Sequence, residues 1–354
     1  MRYQFFTNTP AHVHLYKHAA ERLRAAGNDV LVLAREYGCT VDLLDDTGLP
    51  YVVYGSCDTT KGSLFRELPG HYFRIARETR RFDPDLIFGI GAYAAHAGAL
   101  ARTPVVLVHD SEPTSLDHAI SKPFARAILT PHAFRKELGA KHLRFRGFKE
   151  SAYLHPEVFS ASDGIRDLLG VAPDERYAIL RFNAFGSHHD VNHSGFSPAD
   201  RRDLVEQLSE HVTVFVSDEG GKMNLDQLDA RPFDLHPSQL HDALAEADLL
   251  IADTQTMVTE AALLGTPAIR SNSFVGDDDM GNFVELEQQG LVENVGEFDE
   301  VLTRAEHLLE VGPDDDWRNR YEAYVNEMVN LTDVLVAAAT RSDDIYSLPR
   351  LERA

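Results

Sequence analysis

Lysine is scarce in this 354-residue chain: seven of its 34 basic residues are lysines, and 56 acidic residues give a formal net charge of -22. So acidic a balance speaks against nucleic acid as a partner, because no basic stripe exists to neutralise phosphates. It fits a salt-loaded, halophilic cytoplasm instead, where molar salt shortens the Debye length to about 3 Å and screens self-repulsion. Cysteine is almost missing as well. Cys39 and Cys57 have neither metal-ligand spacing nor the look of a disulfide framework, which implies reduced thiols. Long apolar runs are also lacking. The only long uncharged stretch, residues 86–101, is 16 residues and carries His96, short of the roughly 20 needed to span a bilayer. No integral membrane segment and no signal peptide are expected, and the expected location is cytoplasmic.

What is present is an ordinary apolar fraction of 44% in a chain long enough for two domains of roughly 150 residues. Apolar runs at 2–6, 30–33, 51–54, 86–90, 105–108 and 127–129 read as strands. Amphipathic stretches lie between several of them, the first running through Leu15, Ala19 and Leu23 to a stop at Gly27. A second series has strands at 177–182, 212–216, 249–252 and 268–269, with helices at 198–208, 237–245 and 257–264. Strands alternating with helices imply parallel pairing and right-handed crossovers. The chain is therefore read as α/β, two doubly wound Rossmann-like domains at 1–155 and 170–335, with the boundary inside the Pro-, Ser- and Gly-bearing segment 148–172. Helices are expected at 297–310 and 317–339, and residues 341–354 are expected to form a peripheral tail.

Loops that follow strands are the places to look for a site in such sheets. After the first strand, Thr7 to His14 offers small polar residues before a helix N-terminus, with Asn8 as a binding residue and His12 and His14 for proton transfer near neutral pH. After 249–252, the turn Asp253-Thr254-Gln255-Thr256-Met257 opens a helix bearing Glu260 and closing at Gly265. Its hydroxyls and amides suit a diphosphate, and Glu260 lies where it can accept hydrogen bonds from a ribose. Arg181 to Asp190 follows the first strand of the second series and adds Arg181, His188 and His189 as phosphate or sugar contacts. His189 and His193 stand four apart, yet the surrounding Gly, Ser and Asn read as loop, and no metal site is expected. Asp110 and Glu112 form a candidate acid/base pair after 105–108, and Ser217 is a further candidate after 212–216. The run Asp277-Asp278-Asp279 reads as solvated surface.

Asn8 to His14, Arg181 to Asp190, and Thr256-Met257 with Glu260 to Pro267 together resemble a largely uncharacterised, mainly archaeal family, domain of unknown function 354, and through it the GT-B superfamily. The resemblance covers roughly residues 1–335 and implies two Rossmann-like domains facing a central cleft. Two related groups imply reactions. In non-hydrolysing UDP-N-acetylglucosamine 2-epimerases a similar polar turn and helix would make Glu260 the ribose ligand, Thr254 to Thr256 the phosphate ligands, and His188 or His189 the histidine after the first strand of that domain. An acidic residue expected after 86–90 is replaced there by Gly91-Ala92-Tyr93, and the later acidic helix start is occupied by residues 118–121, so Asp110 or Glu112 would be the retained carboxylate. In GT-B glycosyltransferases His12 or His14 would be the general base, and the diphosphate would leave against amides and Arg181 without metal or cofactor. The leading expectation is a metal-independent glycosyltransferase of surface-glycan or glycolipid assembly, taking a nucleotide-diphosphate sugar and a lipid-linked or glycan acceptor. A nucleotide-sugar epimerase and a non-catalytic nucleotide-sugar scaffold or sensor are the alternatives.

Overall fold

The computed structural model describes residues 1–56, 61–183, 195–221, 223–276 and 279–354. The chain divides into two compact units, Met1–Phe159 with Glu327–Ala354 and Ser160–Asn326. The first unit runs β1 (Arg2–Thr7), α1 (Pro10–Ala25), β2 (Asp29–Glu36), α2 (Thr40–Thr47), β3 (Tyr51–Ser56), α3 (Lys61–Phe82), β4 (Leu86–Gly89), α4 (Ala92–Ala101), β5 (Val105–Val108), α5 (Ser115–Ser121), β6 (Ala127–Pro131) and β7 (His142–Phe145). The second runs α6 (Ile165–Leu169), β8 (Tyr177–Phe182), α7 (Pro198–Leu208), β9 (Thr213–Asp218), β10 (Arg231–Pro232), α8 (Leu240–Ala245), β11 (Leu249–Ala252), α9 (Thr256–Leu264), β12 (Ala268–Arg270), α10 (Gly281–Gln288), β13 (Val292–Asn294), α11 (Phe298–Val311) and α12 (Asp315–Glu327). Then α13 (Leu331–Thr340) and β14 (Glu352–Arg353) return to the first unit.

Strands such as Val105–Val108 and Leu249–Ala252 are apolar at every position and fully buried, as a parallel sheet covered on both faces by helices requires. Among the described residues the first sheet has the order β14-β7-β6-β5-β4-β1-β2-β3 and the second β10-β9-β8-β11-β12-β13. All pairs are parallel except β14 against β7. In each sheet the first strand of the unit lies inside the order, and the chain winds outward from it first one way and then the other. The reversal falls between β1 and β4 in one unit and between β8 and β11 in the other. Helix α9 ends where Gly265 takes the left-handed conformation (φ 80°), and a Cβ there would also meet the Tyr321 ring at 3.0 Å.

Two expectations about the C-terminal part are corrected. The stretch read as one helix, 317–339, is two, because Asn330 is extended and its side chain accepts the Asp333 amide as the cap of α13. That second helix belongs to the first unit. Arg22 bonds Asp333 at 2.6 Å, Thr332 Oγ1 donates to the Ala152 carbonyl at 2.6 Å, and the Tyr3 hydroxyl donates to that of Ala339 at 3.2 Å. Nor is the tail peripheral: Ile345 and Leu348 are buried, and β14 extends the sheet at β7. Replacing the fully buried Ile345 by Ala should cost about 2–5 kcal/mol in urea unfolding; a loss within about 0.5 kcal/mol, the range of surface changes, would show that the tail is not part of the packed unit.

Candidate functional site

Ligands of doubly wound sheets bind beyond the carboxyl ends of the strands, where the strand order reverses. In the second unit that place is occupied by Asp253, buried at the end of β11. Its Oδ1 accepts the amide of Asn183 at 2.6 Å and its Oδ2 that of Phe196 at 3.3 Å. Arg201 on α7 stands 3.5 Å from the same carboxylate and donates to the carbonyls of Asn183 (3.0 Å) and Phe196 (3.2 Å). One carboxylate and one guanidinium thus fix the backbone on both sides of residues 184–194. Gly195 fits under them, since a Cβ there would lie 2.2 Å from Asp253 Oδ2. Burial pushes the Asp253 carboxyl up to about 6 against the opposing pull of the Asn183 amide and Arg201.

Beside Asp253, Thr254 Oγ1 is buried and has no hydrogen-bond partner among the described residues. Helix α9 then starts with no side-chain cap and no acidic residue in its first turn among the described residues. Unpaired amides and the positive end of the helix dipole therefore meet an orphaned hydroxyl at the reversal point, an arrangement suited to an anion. At the neighbouring strand ends, Arg181 donates to Ser217 Oγ at 2.6 Å and pairs with Glu219. A pocket of about 300 Å³ opens beyond β9 and β10, with Ser217, Asp218, Met223, Leu225, Phe233 and Asp234 in its lining.

In the first unit Asn8 spans the reversal point: its Nδ2 reaches the Ile90 carbonyl (3.4 Å), its Oδ1 accepts the Tyr54 hydroxyl (2.9 Å), and its carbonyl accepts Arg35 Nε (3.1 Å). The Asn8 amide donates to His12 Nδ1 at 3.2 Å, so the neutral ring carries its proton on Nε2. Burial, then the charge of Lys149, pushes the His12 pKa down to about 3, with Asp110 pulling the other way. Lys149 forms an ion pair with Asp110 and lies 3.5 Å from Glu150. Burial alone would raise the Asp110 carboxyl, but the Lys149 cation and its hydrogen bond hold it below the usual carboxylate range, with help from His12 and His109. The Tyr16 hydroxyl is buried and unpartnered among the described residues, and burial and the charge of Asp110 raise its pKa. Asn8, His12, Tyr16, Asp110 and Lys149 thus form one electrostatic group.

The sequence profile of the family described as "Protein of unknown function (DUF354)" matches residues 3–336. The chain belongs to this family. No curated protein matches it. Among solved structures, this DUF354 chain is similar to a putative UDP-N-acetylglucosamine 2-epimerase from Listeria monocytogenes (13% identity, 97% of each chain covered, TM-score 0.66). It is also similar to the spinosyn forosaminyltransferase SpnP (14% identity, 98% of this chain and 100% of that one, TM-score 0.66). A third is the UDP-GlcNAc 2-epimerase from Neisseria meningitidis bound to UDP-GlcNAc (12% identity, 98% and 100% covered, TM-score 0.63). The expected fold is thereby confirmed: the DUF354 chain has the GT-B architecture of two Rossmann-like domains.

Not every residue expected at the site of this DUF354 protein lies with the groups described. His12 offers a donor at Nε2, and its basic nitrogen is engaged by Asn8, unlike the free base expected from the sequence. His14 faces the interior, with its ring 5.2 Å from that of Tyr153. Glu112 is buried and accepts the Arg135 amide at 3.2 Å, so it fastens the chain after β6 instead of pairing with Asp110. Glu260 is buried, 3.1 Å from His241 Nε2, and Met257 is a core residue beside it. Gln255 and Thr256 are half-buried at the α9 turn. His188, His189, His193, Asp277 and Asp278 lie outside the described residues. Among the described residues no group of three or more His, Cys, Asp and Glu is placed to hold a metal. Lys149 and Arg201 were not singled out in the sequence; Lys149 sits in the segment read as a domain boundary, and a Phe-Lys-Glu triplet carries no signal of burial.

The DUF354 chain also buries histidines beside the group. His109 packs edge-on to His118 (4.8 Å), and Phe134 lies 5.9 Å from both His118 and His142. Burial above all, with neighbouring histidine charge, pushes His109 down to about 3, while burial and Arg144 push His142 to about 4. The unfolded chain, titrating near 6.5, binds these protons first, so their contribution is full above pH 6.5 and is lost as pH falls toward 4. Each should add a slope of about 1.4 kcal/mol per pH unit in that window. Urea unfolding from pH 4 to 7.5 should show this slope reduced by one histidine's worth in His109→Phe; an unchanged slope would mean the ring titrates normally.

Proposed function

We propose that the chain binds a nucleotide-diphosphate sugar in its second unit and transfers the sugar to an acceptor hydroxyl. The observation that carries the binding half is the uncapped start of α9 with the orphaned Thr254 Oγ1 at the β8/β11 reversal. Diphosphate charge falls on those amides. The charge of Arg181 is already met by Glu219, so its part is to hold Ser217 at the rim of the neighbouring pocket. Apolar faces from Met223 and Phe233 and acceptors from Ser217 and Asp234 suit a planar base with N–H groups. The names of the similar structures, sugar-nucleotide epimerases and a glycosyltransferase, support the same class of ligand.

For the reaction, the first unit supplies Asp110, kept ionised by Lys149, as acceptor of the hydroxyl proton. The acceptor oxygen then forms its bond to the anomeric carbon while the bond to the diphosphate oxygen breaks, and the electron pair leaves with the nucleoside diphosphate. His12 Nε2–H orients the acceptor as a donor. Epimerisation would instead need two acid/base groups, one to take a proton from the sugar carbon and one to return it.

A thermal-shift series with nucleoside diphosphate sugars is the first test. A ligand at 100 times its dissociation constant should add about 2.7 kcal/mol of stability, and Thr254→Val should weaken the selected ligand roughly tenfold. With a matched acceptor, Asp110→Asn should lower turnover by about 10²–10⁴ and leave donor binding intact. Absence of any shift on folded protein would sink the reading, and solvent deuterium appearing at C2 of the sugar without acceptor would replace transfer by epimerisation.

A further inference from the structure

Eight large apolar side chains are exposed among the described residues, and five of them, Phe73, Leu100, Leu116, Ile120 and Phe124, fall on α3, α4, α5 and the short turn Lys122–Phe124 that follows. Phe73 and Leu116 are 70% and 76% exposed. These elements are tied together by a chain of contacts. The Tyr72 hydroxyl meets His96 Nδ1 at 2.7 Å, His96 Nε2 meets the Ile120 carbonyl at 3.1 Å, and the His96 ring lies 5.3 Å from that of Phe124. Leu116 and Ile120 stand four apart on α5, as do His96 and Leu100 on α4, so each pair shares a face.

The charge beside this patch is opposite to that of the molecule. Between residues 66 and 81, α3 carries Arg66, Arg74, Arg77, Arg80 and Arg81 against Glu67 and Glu78, in a chain of net charge -22. Glu78 is buried. Helical spacing puts Arg66, Arg77 and Arg80 seven before, four after and seven after Phe73, hence on the same face. Lys122 is exposed between Ile120 and Phe124, and the nearby Asp117 accepts the Ala92 amide at 3.0 Å.

We propose that this face of the first unit docks on an anionic lipid surface. Apolar side chains standing out from several helices enter the headgroup boundary, while arginines and Lys122 meet lipid phosphates. A two-fold contact with a second copy would bring both sets of arginines into one interface with no added carboxylate surplus to meet them, which disfavours that occupant. No helix of the described residues is long and apolar enough to cross a membrane, so the attachment is to the surface. The inference does not rest on the nucleotide-sugar reading.

The test is flotation of the full chain with vesicles of phosphatidylcholine, with and without phosphatidylglycerol, at the lowest salt where circular dichroism shows the fold intact. The native chain should float with the anionic vesicles. Phe73→Ser with Phe124→Ser should weaken partitioning at least about tenfold. Arg66→Gln, Arg77→Gln and Arg80→Gln together should weaken it by on the order of a hundredfold and remove the preference for charged lipid. These side chains are exposed, but Arg77 also pairs with the buried Glu78, so circular dichroism checks the fold of each variant and a double Arg66→Gln, Arg80→Gln variant that keeps Arg77 should still weaken binding by more than about tenfold. A native chain that stays unbound with both compositions, or variants that float as well as the native chain, would overturn the proposal. So would a concentration-dependent dimer in sedimentation that the same substitutions abolish while no vesicle binding is seen.

Discussion

Parallel strand pairing is the constraint from which the rest of this molecule follows. A parallel neighbour cannot be reached by a tight turn, so each strand needs a crossover, and every strand of a sheet ends on the same edge. Winding outward from β1 and from β8 in both directions leaves two crossovers that diverge, and a gap opens between their loops. Unsatisfied groups sit at both gaps: the α9 amides and the Thr254 hydroxyl in one unit, the buried Thr7 and Tyr16 hydroxyls by Asn8 in the other. Chemistry is placed by topology first, and side chains then refine it.

Two buried ionic arrangements perform that refinement, and they differ in kind. Asp253 takes the Asn183 and Phe196 amides, and Arg201 donates to the carbonyls of the same two residues and to Asp218 Oδ1, so their charges act mainly as fasteners for the backbone at Asn183 and Phe196. Lys149 and Asp110 bind mainly to each other, and their charges set the protonation of the rings and hydroxyls around them. A buried pair of the first kind resists removal of either partner because backbone groups would be orphaned. The second kind is sensitive to the sign of the remaining charge, since an unpaired buried ion costs more than the pair contributes.

Most of the architecture was legible in the sequence. Continuous apolar runs such as Val105–Val108 and Leu249–Ala252 announce buried parallel strands, and Ser197-Pro198 with Asp200 announces α7, which the structure shows as a capping box. The strands that escaped reading are short or weakly apolar: β10 and β14 have two residues each, β13 is Val-Glu-Asn, and β7 opens with a histidine. Pairing on a pre-existing edge makes these strands, not their own propensity. For the site, spacing pointed to the segments after strand ends, where the structure also puts Thr254 and Asp110. It could not say that Glu112 would turn to Arg135 or that Lys149 would come to Asp110, since those partners are 23 and 39 residues away.

The return of α13 and β14 makes the first unit discontinuous in sequence and the second continuous. Residues Ser160–Asn326 have all their strands within one segment, but the first unit also needs Ile345, Leu348 and the edge strand at Glu352–Arg353. The second unit can therefore be completed from one stretch of chain, whereas the first needs a segment that lies beyond it in sequence. Without that segment in place β7 is an open sheet edge and the α13-facing surface of α1 is bare. The first unit is thus a body sewn shut by a distant stretch of chain, and damage to that stretch would open it while leaving the second unit whole.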